Sequence, residues 1–154
     1  MLFRSEIVAA VGELRPVLDL YAGLGTFTLA LGQSGSVHAV EGDAASVAAL
    51  TQAVSSIPGI TAERRDLDRN PLSPAELAPY VAAVFDPPRA GALRQAEELA
   101  ASTIATVVAV SCNPATFARD AARLIAGGYR LEKVTPVDQF VWTPHLELVA
   151  VFRR

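Results

Sequence analysis

The chain has 154 residues, 51% of them hydrophobic, which is enough for one domain with a sizeable core and too little for two. Its single cysteine excludes an internal disulfide framework and any metal or cluster site built from several thiolates, so a reducing, cytoplasmic setting is expected. The formal net charge of −3 gives no broad basic field for a polyanion. No apolar run approaches the ~18 residues of a membrane span, and Met1-Leu2-Phe3-Arg4 lacks a secretory pattern, so one soluble domain over 1–154 is expected, with no membrane partner and no metal.

Val17 to Leu20 is the first short apolar run that reads as a strand buried on both faces. It leads into Asp19-Leu20-Tyr21-Ala22-Gly23-Leu24-Gly25-Thr26-Phe27-Thr28, where Gly23 and Gly25 let backbone amides approach a ligand around a tight turn. An ordinary strand-to-helix turn is the plainer reading of two glycines. Val37 to Val40 is a second strand, and Glu41 at its end is placed to accept both ribose hydroxyls of an adenosine moiety. The loop lacks a Gly-Lys-Ser/Thr sequence, and Thr28 stands where a dinucleotide loop has its last glycine, so S-adenosylmethionine is preferred over NAD. Ala44 to Ser55 reads as a helix. Asp66 follows a third strand, either facing the adenine amine or standing as a solvated loop acid.

Pro71-Leu72-Ser73-Pro74 marks a loop before a short helix, and Val81 to Phe85 is the next strand. Asp86-Pro87-Pro88-Arg89 follows it directly. Two prolines stiffen the strand exit and stop further pairing, which holds Asp86 at the carboxyl edge, although the same residues suit a plain turn. Leu93 to Ser102 is a helix and Thr106 to Val110 a strand. Ser111-Cys112-Asn113-Pro114 then sets the thiol at the strand's carboxyl end, where open α/β sheets do their chemistry; a small buried strand-end residue is the alternative for Cys112. Pro114 to Ala126 is a helix with proline at its start and Gly127-Gly128 as its stop. Tyr129 to Val137 and Leu146 to Phe152 complete the pattern as two strands. Strands alternating with helices imply a doubly wound α/β domain with a mostly parallel sheet, closed at one edge by an antiparallel C-terminal hairpin.

In this order, Asp19 to Thr28, Asp86 to Arg89, Ser111 to Pro114 with Thr116 and Arg119-Asp120, and Asp138 to Glu147 resemble the catalytic domain of the RNA 5-methyluridine methyltransferase family. The resemblance runs from about Pro16 to Phe152. It implies a Rossmann-like class I methyltransferase sheet and S-adenosylmethionine as cofactor, with Cys112 as nucleophile and Glu147 as general base. It further implies that Tyr21, Thr26, Glu41, Asp66 and Asp86 contact cofactor or substrate. By pattern alone, Leu146-Glu147-Leu148 also suits a solvent-facing strand residue. The implied reaction is methylation of C5 of a uridine in RNA, transfer or ribosomal, through a cysteine adduct at C6. A uridine in structured RNA has to be flipped out to reach Cys112, with Phe140 and Trp142 as candidate stacking platforms and His145 as a lesser catalytic candidate.

The chain departs from the family in several places. Thr26 stands where the family often has asparagine, and Val141-Trp142 replaces a proline-containing stretch. Only Met1-Leu2-Phe3 remains of an upstream segment whose glutamine contacts the cofactor, and the family's RNA-holding barrel and central insertion have no counterpart. An additional RNA-binding domain is therefore expected. Two other readings are an isolated cofactor-binding domain without RNA activity, and a methyltransferase for a protein or small-molecule acceptor. The second is weakened because Arg89 stands where amide methyltransferases carry an aromatic residue after their Pro-Pro.

Overall fold

The computed structural model describes residues 2–137 and 147–154, and in it the apolar runs form one sheet between two helical layers. The strands are β1 Val17–Leu20, β2 Val37–Glu41, β3 Ile60–Arg64, β4 Ala82–Phe85, β5 Thr106–Ser111, β6 Arg130–Val137 and β7 Glu147–Arg153. The helices are α1 Leu2–Val11, α2 Thr26–Leu31, α3 Ala44–Val54, α4 Pro74–Leu77, α5 Leu93–Ala101 and α6 Pro114–Ala126. Every residue of β1, β4 and β5 is buried, as strands covered on both faces require.

The sheet order is β3-β2-β1-β4-β5-β7-β6. The first five strands are parallel, and β7 runs antiparallel to both β5 and β6. The order reverses between β1 and β4, so the crossovers leave that point toward opposite sides and open a crevice at the strands' carboxyl ends. On one face Ile7 and Val11 of α1, Phe27 and Leu31 of α2, and Leu50 and Val54 of α3 pack on Val17, Val84 and Val108. On the other, Leu77 of α4, Ala96 and Leu99 of α5, and Ala121 and Leu124 of α6 pack on Leu18, Leu20, Phe85 and Val107.

Local chemistry fixes the helix ends. The Asp43 carboxylate accepts the Ser46 N–H at 2.8 Å to start α3, and the Asn113 side chain accepts the Ala115 N–H at 3.1 Å to start α6, with Pro114 at its first position. The doubly wound fold, the helix from Pro114 to Ala126 and the C-terminal strand pair agree with the sequence reading. Two helices, α1 and α2, add to it: α1 buries only a narrow stripe, and α2 is six residues long, too short for a periodic signal. The sixth strand begins one residue later than the apolar run, because Tyr129 belongs to the helix stop. Its N–H donates to Leu124 O at 3.1 Å, and its buried hydroxyl donates to Ile104 O at 2.6 Å.

Candidate active site

Strand register brings the acids and the thiol to one edge of the sheet. Asp19 pairs with Val84 across β1 and β4, and Asp86 lies two residues beyond Val84, so alternation puts both acids on the face covered by α1, α2 and α3. The Asp86 N–H carries the ladder one step further by donating to Leu20 O at 3.2 Å. On the other side of β4, Ser111 of β5 pairs with Leu148 of β7. The pairing ends at that step: Cys112 follows Ser111 just past the end of β5, and Glu147, the first residue of β7, pairs with Val137 of β6. Cys112 and Glu147 are both half-buried.

The turn after β1 has a backbone that few sequences tolerate. Tyr21 takes φ +61°, a left-handed conformation uncommon for an aromatic residue, and its ring stands edge-on to Phe85 with centroids 6.1 Å apart. Gly25, at φ +88°, precedes α2, and a Cβ there would meet Leu50 Cδ1 at 2.3 Å. That glycine is required by the approach of α2 to α3, a reason the sequence reading had not assigned. Thr26 opens α2 as an exposed residue.

A cleft of about 380 Å³ lies beside this turn, lined by Tyr21, Glu41, Asp66, Asp68, Asp86 and Pro88 among others. Glu41 accepts the Gly23 N–H at 2.9 Å through Oε2 and the Asp43 N–H at 2.8 Å through Oε1, tying the glycine turn to the end of β2. Each oxygen keeps a lone pair for a ligand. Asp66 serves two ends: its Oδ1 accepts the N–H groups of Asp68 and Arg69, both at 3.1 Å, while the residue lines the cleft. The Tyr21 hydroxyl donates to Asp68 Oδ1 at 3.0 Å, joining the loops after β1 and β3. Burial and the Asp68 carboxylate push that hydroxyl far above the usual tyrosine range.

The acids at the edge perturb one another. Asp19 is fully buried; its Oδ2 accepts the Thr28 hydroxyl at 2.5 Å, and its Oδ1 has no partner among the described residues. Burial pushes Asp19 up to about 7 against the pull of its Thr28 bonds, and Glu41 adds to the rise. Asp86 is also pushed up to about 7, first by burial and then by the charges of Asp19 and Glu147.

Of the residues singled out in the sequence, Tyr21, Glu41, Asp66 and Asp86 therefore share one cleft, with Gly23 bonded into it, and Cys112 and Glu147 flank the last paired step of β5 and β7. Phe140, Trp142 and His145, and the segment from Asp138 to Leu146, lie outside the described residues. Asp19 and Asp68 were not singled out as site residues. Asp19 had a signal, as an acid inside a wholly apolar strand; Asp68 had none, because its place depends on where Tyr21 reaches. Among the described residues, no group of three or more His, Cys, Asp or Glu is arranged to hold a metal ion, and no helix is long and apolar enough to cross a membrane.

The sequence profile of tRNA (uracil-5-)-methyltransferases matches residues 5–154. An uncharacterized RNA methyltransferase of Brucella suis is 55% identical over 151 residues, covering 96% of this chain and 36% of the relative. A 23S rRNA (uracil(1939)-C(5))-methyltransferase of Chromohalobacter salexigens is 42% identical over 154 residues, covering 96% of this chain and 31% of the relative. The chain thus spans about a third of the length of these curated relatives. The crystal structure of the Pyrococcus abyssi tRNA (uracil-54, C5)-methyltransferase in complex with S-adenosyl-L-homocysteine superposes with a TM-score of 0.80 at 32% identity, over 97% of this chain and 38% of that one. An S-adenosylmethionine-dependent methyltransferase from Aquifex aeolicus, at 15% identity and a TM-score of 0.71 over 98% of this chain and 89% of that one, shares the fold.

Proposed function

The chain belongs to the tRNA (uracil-5-)-methyltransferase family, and on that premise we propose that it transfers a methyl group from S-adenosylmethionine to C5 of a uridine in RNA. The residues of the cleft fit that cofactor. Glu41 keeps acceptor capacity for the ribose diol, Asp66 would face the adenine amine, and Asp86, which lines the cleft, suits the cationic end. When bound, S-adenosylmethionine supplies an electrophilic methyl group on a positively charged sulfur.

The chain's own residues do the rest. C5 of uracil is too weak a nucleophile to react unaided. The Cys112 thiolate adds at C6, forming a carbon–sulfur bond and moving the ring's double-bond pair through C5 toward O4 as an enolate. Once C5 carries the methyl group, Glu147 removes the C5 proton, the 5,6 double bond re-forms, and the carbon–sulfur pair returns to Cys112. The observation that most supports this reading is the Ser111–Leu148 pairing of β5 and β7, which leaves Cys112 and Glu147 as the residues flanking it at the edge where Asp86 lies.

The substrate we infer is a uridine of transfer or ribosomal RNA, flipped out of its stack. With a net charge of −3, the grip on RNA comes largely from a further RNA-binding domain. The test is trapping, with S-adenosylmethionine present, on RNA carrying 5-fluorouridine, whose fluorine cannot be removed as the C5 proton is once C5 is methylated. A covalent complex that survives denaturation is expected from the parent chain and lost in Cys112→Ala. Trapping by the Cys112→Ala protein would sink the reading. The same net charge also favours a second reading, a cofactor-binding domain inactive on RNA alone; calorimetric binding of S-adenosylhomocysteine without trapping would support it.

A further inference from the structure

We propose that one face of α6, carrying Asn113, Thr116, Arg119 and Asp120, is a positioning device that fixes the Asp86 loop against Cys112 and thereby sets the rate of thiol addition rather than cofactor affinity. The inference rests on the reading of Cys112 given above.

The loop needs outside support because of its sequence. Pro87 and Pro88 have no N–H, so the β4 ladder ends at the Asp86 N–H. Within the loop one bond remains, Gly91 N–H to Pro88 O at 2.8 Å. Arg89 O, Ala90 O and the Ala92 N–H are met by α6 and its cap. Arg89 O accepts from Asn113 Nδ2 at 3.1 Å and from Thr116 Oγ1 at 3.2 Å, and Ala90 O accepts from Arg119 Nη2 at 3.1 Å. The Ala92 N–H donates to Asp120 Oδ2 at 2.7 Å, and the second oxygen of that buried acid takes Arg119 Nε at 2.8 Å. Positions 113, 116, 119 and 120 form one stripe along a helix.

The loop and helix also touch so closely that a side chain would not fit. Gly91 has φ +73°, and a Cβ on it would lie 2.5 Å from Arg119 Nη2 and 2.6 Å from Asp120 Oδ2. Asn113 caps α6 and is the residue after Cys112, so the side chain next to the thiol is bonded to the loop that follows Asp86. The proposed ribose and adenine partners, Glu41 at the end of β2 and Asp66 after β3, lie elsewhere. A slackened clamp therefore displaces Asp86 and the thiol relative to each other and costs at most the one cofactor contact assigned to Asp86, leaving those of Glu41 and Asp66 in place. A misplacement of about 1 Å costs about a hundredfold in rate.

The experiment compares the parent chain with Thr116→Val, Thr116→Ser and Arg119→Lys. Two quantities are read: the rate of covalent complex formation with a tRNA transcript and a 23S rRNA fragment made with 5-fluorouridine, and the calorimetric affinity for S-adenosylhomocysteine. Thr116→Val and Arg119→Lys are expected to slow trapping by about tenfold to a hundredfold with affinity within about threefold, and Thr116→Ser to trap like the parent. Parent rates in both slowed variants overturn the inference, as does a parallel loss of trapping and affinity, which is general loosening. Should Arg119→Lys fail to fold, the valine and serine pair decides. A parent chain that binds S-adenosylhomocysteine and traps neither RNA overturns the functional reading and this inference with it.

Discussion

Asp19 and Asp86 face the same side of the sheet from adjacent strands, and burial raises both to about 7. Between about pH 4, where an unfolded carboxyl loses its proton, and about pH 7, where these two do, the folded chain holds more protons than the unfolded one. Stability therefore falls as pH rises through that window and levels off above it. At about 1.4 kcal/mol per pKa unit, the pair produces a total change on the order of several kcal/mol across the window. Urea midpoints should be higher at pH 5.5 than at pH 8, and Asp19→Asn with Asp86→Asn should flatten the difference; equal slopes in parent and double variant would refute it. Glu76 acts in a separate window. Its bonds from Arg65 and then Ser73 hold it down at about 2, so its contribution is present above about pH 4.5 and lost as pH falls toward 2. Replacing Glu147 by glutamine removes the proposed base and not the nucleophile, so a covalent complex should accumulate on ordinary uridine RNA. A variant that neither turns over nor accumulates adduct would point to Glu147 acting earlier.

Packing between elements decides what the glycines tolerate. Gly25→Ala would drive a methyl group into Leu50 while demanding a left-handed backbone, and a loss of about 1–3 kcal/mol by urea unfolding is expected. Leu50→Ala alone costs about 2–5 kcal/mol, but the double variant should lose less than the sum, because the truncated leucine removes the clash. Strict additivity would mean that the backbone strain, and not the contact, carries the cost. At this scale the sequence was informative where its signals were local. The apolar runs of β1, β4 and β5, the Pro114 start and the Gly127-Gly128 stop all act within a few residues. Gly25 was visible as a turn residue, but its contact with Leu50 joins positions far apart in the chain. The stripe on α6 was likewise visible as Asn113, Thr116 and Arg119-Asp120, without the loop it grips.

For the whole molecule, charge and topology pull apart. The crevice lies where the sheet order reverses, and the acids there suit a cationic cofactor, whereas RNA would meet a chain of net charge −3. Binding of single-stranded RNA to this chain should be weaker than about 10 μM at physiological salt, read by fluorescence anisotropy; tighter binding would remove the need for a further RNA-binding domain.

The position of β7 also has a consequence in time. Its residues 147–153 fill the slot between β5 and β6, so the wholly buried β5 has no neighbour on that side until the last part of this segment has been synthesised. A nascent chain ending before residue 147 displays the four apolar residues Val107 to Val110 along an open edge, ready to pair with another chain. On the ribosome, the strand that carries the proposed base is also the one that closes the sheet against aggregation.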